Sequence, residues 1–110
     1  MAFRALDVSF ELVSSLRPVL PGLARLDRDL AQQIRRAASS ISLNIAEGSG
    51  RSGKDRLHCY RVARGSAREV DAGLRLAVAW GHVPERAVTR ALGLVDDVTS
   101  LLCGLLRGGP

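Results

Sequence analysis

A chain of 110 residues, 46% hydrophobic and only 4% aromatic, is long enough for one buried core and too short for several domains. Sixteen basic against eleven acidic residues leave a net charge of +5, with arginine supplying all the cations but Lys54, so an anionic partner is expected. Two cysteines, Cys59 and Cys103, cannot form a disulfide scaffold, and His58 beside Cys59 is too little for a zinc site. Arg4, Asp7, Glu11 and Arg17 interrupt the segment where a secretion signal would be apolar, and no run approaches membrane-spanning length. The expectation is one cytoplasmic domain with reduced thiols, no metal, no cofactor and no membrane contact. Abundant Ala, Leu and Arg with few β-branched runs point to an all-α domain. A GC-rich coding sequence would produce the same arginine excess, so the ratio alone assigns no function.

Four helical segments follow from the 3.6-residue spacing of apolar positions. In the first, Phe3, Leu6, Phe10, Val13 and Leu16 share a face that reads as core, with Asp7, Glu11 and Ser14 opposite, until Pro18, Pro21 and Gly22 end it. The second begins at Asp27, a good cap, and buries Leu30, Ile34, Ala37, Ala38, Ile41 and Ile45, with Gly48 as its stop. Ser52 is placed to cap a third helix that continues to Trp80, with Gly81 as its left-handed C-terminal residue. Its core face is Cys59, Ala63, Val70, Leu74 and Ala77, while Gly65 and Gly73 suggest close approach of another backbone. Pro84 suits the first turn of a fourth helix whose apolar face includes Val88, Val95, Val98, Leu102 and Leu105. Short connections between four such helices favour an antiparallel up-down-up-down four-helix bundle occupying residues 1–110.

The stretch GSGRSGKD from Gly48 to Asp55 nearly spells a phosphate-binding P-loop. That loop needs a strand before it and a hydroxyl residue after its lysine, whereas here a helix precedes and Asp55 follows. The structural reading is preferred: the segment is a turn between two helices. Arg51 and Lys54 nonetheless sit beside the N-terminus of the third helix, where free N–H groups favour an anion.

Between positions 35 and 68 the cations are Arg35, Arg36, Arg51, Lys54, Arg56, Arg61, Arg64 and Arg68, against only Glu47 and Asp55. At 100° per residue Arg61, Arg64, Arg68 and Arg75 fall within about 60° of one another, opposite the core face, with Asp71 interrupting the row. A charged row is what any solvent-facing helix surface carries, but a purely solubilising face would mix signs more evenly. Arg35, Arg36, Arg51, Lys54, Arg61, Arg64 and Arg68 are therefore the candidate nucleic-acid-binding residues. Tyr60 and Trp80 stand apart from them, so any contact should go to the sugar-phosphate backbone and its shape.

Leu43, Val62, Leu76 and Trp80 lie off the main core faces and are the candidate subunit contact. Glu47 and Glu69 could be read as a carboxylate pair for acid–base chemistry, yet no nucleophile with an adjacent base accompanies them. The preferred reading is a structural hydrogen-bonded layer made of Ser40, Asn44, Glu47, Ser66 and Glu69, and no enzymatic activity is expected.

The runs Gln33-Ile-Arg-Arg-Ala-Ala-Ser-Ser-Ile41, Asn44-Ile-Ala-Glu-Gly48 and Ala63-Arg-Gly-Ser66, with Glu69, closely resemble the four-helix bundle family named for proteins encoded in intervening sequences of bacterial large-subunit ribosomal RNA genes. A related branch comprises accessory proteins of diversity-generating retroelements. The resemblance implies a homopentameric bundle with a basic surface, no catalytic activity and affinity for nucleic acid; for this chain the leading expectation is RNA. It also implies an alternative: a protein-interaction adaptor that associates with a reverse transcriptase. Leu57 departs from the aromatic residue usual near the start of the third helix, and Leu20-Pro21-Gly22 matches the family's first connection only loosely.

Overall fold

The computed structural model describes residues 2–108, and α-helix is the only regular secondary structure among them. Five helices follow one another: α1 (Ala2–Leu16), α2 (Leu20–Leu26), α3 (Arg28–Ser49), α4 (Gly53–Ala79) and α5 (Glu85–Leu106). Neighbouring pairs are α1 with α3, α3 with α4, α4 with α5 and α5 with α1, a closed circuit around one core, and α2 rests on α3. The interior is filled by aliphatic side chains from all four long helices, among them Leu12, Ile34, Ile41, Ile45, Val70, Leu74, Val88, Val98 and Leu102. The 27-residue α4 should span about 40 Å at 1.5 Å per residue. That matches the longest dimension of the molecule, 42 Å, so α4 runs its full length.

Several ends are set by the residues expected to set them. The carboxylate of Asp27 accepts the Leu30 N–H at 3.1 Å and caps α3. Gly81 takes a left-handed φ of 78° just beyond α4. Ser52 occupies the N-cap position of α4 with extended backbone, although its hydroxyl makes no capping bond.

Three sequence expectations are corrected. The segment after Pro18 forms the short α2 where a loop was expected. Pro21 sits in its first turn, where no backbone donor is needed, and Val19 and fully buried Leu23 hold the segment against the core. The first helix is also rotated from the expected face: Leu16 is buried and Leu6 packs against the core as expected, but Phe3, Phe10 and Val13 are exposed. Ala5, Val8, Ser9, Leu12 and Leu16 are buried, whereas Phe3 is 75% exposed and Phe10 53%. Both stripes obey helical spacing, and small residues let α1 come closer: the Ser9 hydroxyl lies 2.8 Å from that of Ser42 on α3. Ser9 also donates to the Leu6 carbonyl at 2.6 Å, leaving Ser42 to donate to Ser9, so the buried pair is satisfied.

The third correction concerns glycine. Gly48 does not end α3, which continues to Ser49; it is a buried interior position over which Tyr60 lies. A Cβ there would stand 2.7 Å from Tyr60 Cε1 and 3.1 Å from the Cys59 Cβ. Gly73 plays the reciprocal part on α4, with Ile34 Cγ1 2.7 Å from where its Cβ would be. A Cβ at Gly65 would meet nothing within 4 Å, so it serves no close contact among the described residues.

The two glycines should thus respond oppositely to one methyl group. Gly48→Ala should destabilise by about 1–3 kcal/mol despite its better helix propensity, because the buried Tyr60 ring has nowhere to go. Gly65→Ala should stabilise by up to about 1 kcal/mol. Thermal unfolding followed by circular dichroism checks both, and equal shifts of the two variants would contradict the packing described.

Candidate nucleic-acid interface

Burial of Cys59, Ala63, Ala67, Val70, Leu74 and Ala77 fixes the rotation of α4 about its axis. The opposite side must then face water, and it carries Arg61, Arg64 and Arg68 over about 10 Å of helix. Among the described residues the ion pairs are Arg51 with Glu47 (3.3 Å), Arg75 with Asp71 (3.1 Å) and His82 with Asp27 (3.5 Å). Arg61, Arg64 and Arg68 therefore have no carboxylate partner among the described residues. Arg75, their neighbour in sequence pattern, does. Its Nε donates to Asp71, and this hydrogen bond, the charge of Asp71 and weaker contributions from Asp96 and Glu85 raise its pKa above the usual value. The unpaired ridge is thus three arginines long.

The remaining candidates are placed elsewhere. Arg35 and Arg36 project from α3 into a groove bounded by α1 and α2, not onto the α4 ridge. Arg51 is tied to Glu47 at the α3–α4 turn, where Lys54 is exposed in the first turn of α4. The Gly-rich stretch joins two helices, with Gly53 at a φ of 58° where the chain enters α4. Arg56, which the sequence offers only as one more cation, holds this turn together: its Nε donates to the Arg51 carbonyl at 2.8 Å and to the Gly48 carbonyl at 3.2 Å. Those carbonyls belong to the C-terminal end of α3 and the turn after it, where the helix ladder no longer supplies every partner; that of Gly48 also accepts the Arg51 N–H at 3.1 Å.

Of the expected polar layer, three members meet. Ser66 on α4 donates to the Ser40 hydroxyl at 2.9 Å, and Asn44 Nδ2 donates to the Ser40 carbonyl at 2.9 Å and its hydroxyl at 3.1 Å. Glu47 lies outside this network, paired with Arg51, and Glu69 is exposed on α4 without an ion-pair partner among the described residues. Leu43 (69%), Trp80 (66%), Leu76 and Val62 are all exposed apolar side chains, and Trp80 stacks on His82 with ring centroids 6.2 Å apart. The exposed pair Phe3 and Phe10 escaped sequence reasoning because their spacing also fits a core stripe. No helix among the described residues is long and apolar enough to cross a membrane.

These features define a small basic all-α protein whose surface is organised by one rod-like helix. The chain belongs to the 23S rRNA-intervening sequence protein family, whose sequence profile matches residues 5–104. It is also similar to a solved structure from Bacteroides thetaiotaomicron, described as a protein with unknown function from the S23 ribosomal protein family. The TM-score is 0.83 at 19% identity, over 94% of this chain and 98% of that one, which speaks for a common fold. No curated protein matches the chain in sequence.

If Arg56 serves the turn and not a ligand, Arg56→Ala should cost about 1 kcal/mol of stability, the usual worth of such hydrogen bonds. It should leave the salt dependence of nucleic-acid binding unchanged. Chemical denaturation and binding titrations at several salt concentrations separate the two effects.

Proposed function

We propose that this chain is a non-enzymatic nucleic-acid-binding protein, directed at RNA, that folds as an antiparallel up-down-up-down four-helix bundle and works as a homo-oligomer. The antiparallel order is supported by the contacts along the α3–α4 seam. Gly48 meets Tyr60, Ser40 meets Ser66 and Ile34 meets Gly73, so one helix is traversed backwards as the other advances. The three-residue connection between α3 and α4 agrees with that order.

The observation that carries the functional reading is the contrast among arginines. Arg51 and Arg75 are matched by carboxylates, whereas Arg61, Arg64 and Arg68 form a ridge with no carboxylate partner among the described residues. Guanidinium groups so placed meet phosphate two-pronged, and such contacts position a nucleic acid without reading its bases. The family's association by name with ribosomal RNA supports RNA over DNA. Three arginines bind weakly alone, so self-association, for which the family resemblance suggests five subunits, would add the ridges through effective concentration.

Binding to single-stranded RNA should weaken linearly in log–log plots against salt, with a slope of about −0.7 per phosphate neutralised. Replacing Arg61, Arg64 and Arg68 by Ala should flatten the slope by about 2 per subunit engaged, and Arg75→Ala should leave it unaltered. A triple variant with the parental slope would remove the ridge from the binding site.

A further inference from the structure

The side of the molecule formed by α1, α2 and α3 carries an open groove of about 1070 Å³ that the reading above does not use. Its floor is apolar, with Val13, Leu16, Leu20, Ala31, Ala38 and Leu43. Its cations are Arg17, Arg28, Arg35 and Arg36, no acidic residue lines it, and none of the four arginines has an ion-pair partner among the described residues. The groove thus asks for an apolar rod bearing negative charge. The same chain presents one: Val62 and Leu76 on α4 and Trp80 at its C-terminal end are exposed along one strip, and the exposed Glu69, unpaired among the described residues, lies within it.

We propose that the groove of one copy receives the α4 strip of a second copy, with Glu69 opposite Arg35 and Arg36. This rests on the self-association proposed above and assigns its two halves. The lengths agree. From Val62 to Trp80 the strip covers about 27 Å, and from Arg28 to Asn44 the groove follows α3 for about 24 Å. The charges agree as well. Glu69 is seven residues from both Val62 and Leu76, while Arg35 and Arg36 fall at the middle of the groove's length, so the acid meets them whichever way the strip lies.

Competing occupants explain less. RNA on the four arginines would leave the apolar floor wet, and an acidic peptide from elsewhere would leave Val62, Leu76 and Trp80 uncovered. Seating α4 in the groove covers both apolar surfaces and removes the only exposed acid from an apolar strip. It also keeps Arg61 and Arg68 clear, since they project about 80–100° around α4 from Glu69. Groove and strip share no residue, so each copy offers both halves and the contact can repeat from copy to copy.

Sedimentation over a range of concentrations tests the pairing with four proteins: the parent, Glu69→Arg, the Arg35→Glu/Arg36→Glu pair, and the combination of all three changes. All altered side chains are exposed, and circular dichroism verifies that the helices are retained. The parent should associate. Each charge reversal should raise the subunit dissociation constant by at least about tenfold, and the combined variant should return to within a few-fold of the parent. An associating parent whose reversals have no effect, or whose combined variant stays dissociated, overturns this pairing while self-association stands. A parent that is monomeric at every concentration overturns self-association itself, and the pairing with it.

Discussion

The seam between α3 and α4 is the constraint from which the rest of the molecule follows. Tyr60 lies over Gly48 and Ile34 over Gly73, at positions where even one more carbon would collide. Between these contacts Ser66 and Ser40 exchange a hydrogen bond, with Asn44 completing the network. Close approach at three levels fixes how each helix is rotated about its axis, because interiors at crystal-like density tolerate few alternatives. Once α4 is fixed in this way, the side that carries Arg61, Arg64 and Arg68 has to face solvent.

Charge on this protein is then sorted by distance to carboxylates. The two arginines that have an acid four residues before them, Arg51 after Glu47 and Arg75 after Asp71, are matched within the chain. The other arginines form no ion pair among the described residues, and two groups of them stand together: Arg61, Arg64 and Arg68 on the outer ridge of α4, and Arg17, Arg28, Arg35 and Arg36 around the groove formed by α1, α2 and α3. The first is a row of cations on a convex helix surface and suits a hydrated phosphate backbone, whereas the second surrounds an apolar floor and suits a protein surface. On the proposed function, such a division would keep subunit contacts and RNA contacts from competing.

Much of this was legible in the sequence, for identifiable reasons. The inward faces of α3, α4 and α5 were readable because their buried positions form a single apolar stripe with no rival, and the Asp27 cap and the Gly81 end follow from side-chain chemistry alone. On α1 two stripes of equal period compete, and only the closeness of α3, set by Ser9 and Ser42, selects the smaller one. Gly48 was read as a stop because glycine marks both helix ends and close contacts, and the distinction depends on Tyr60, a residue on a different helix. The arginines posed the same difficulty. Spacing of four residues makes the Arg51 and Arg75 pairs readable in principle, but that Arg35 and Arg36 belong to a groove depends on α2, a helix hidden by its Pro-Gly composition.

The claim at the centre of the account is that RNA lies along α4, and photo-crosslinking locates it most directly. A photoreactive side chain placed at Leu57, one helical turn before Arg61 and on the same face, should label bound RNA efficiently, whereas one at the exposed position of Asp7 on α1 should not. Labelling from Asp7 equal to or greater than that from Leu57 would contradict the assignment of the arginine ridge as the RNA-binding surface.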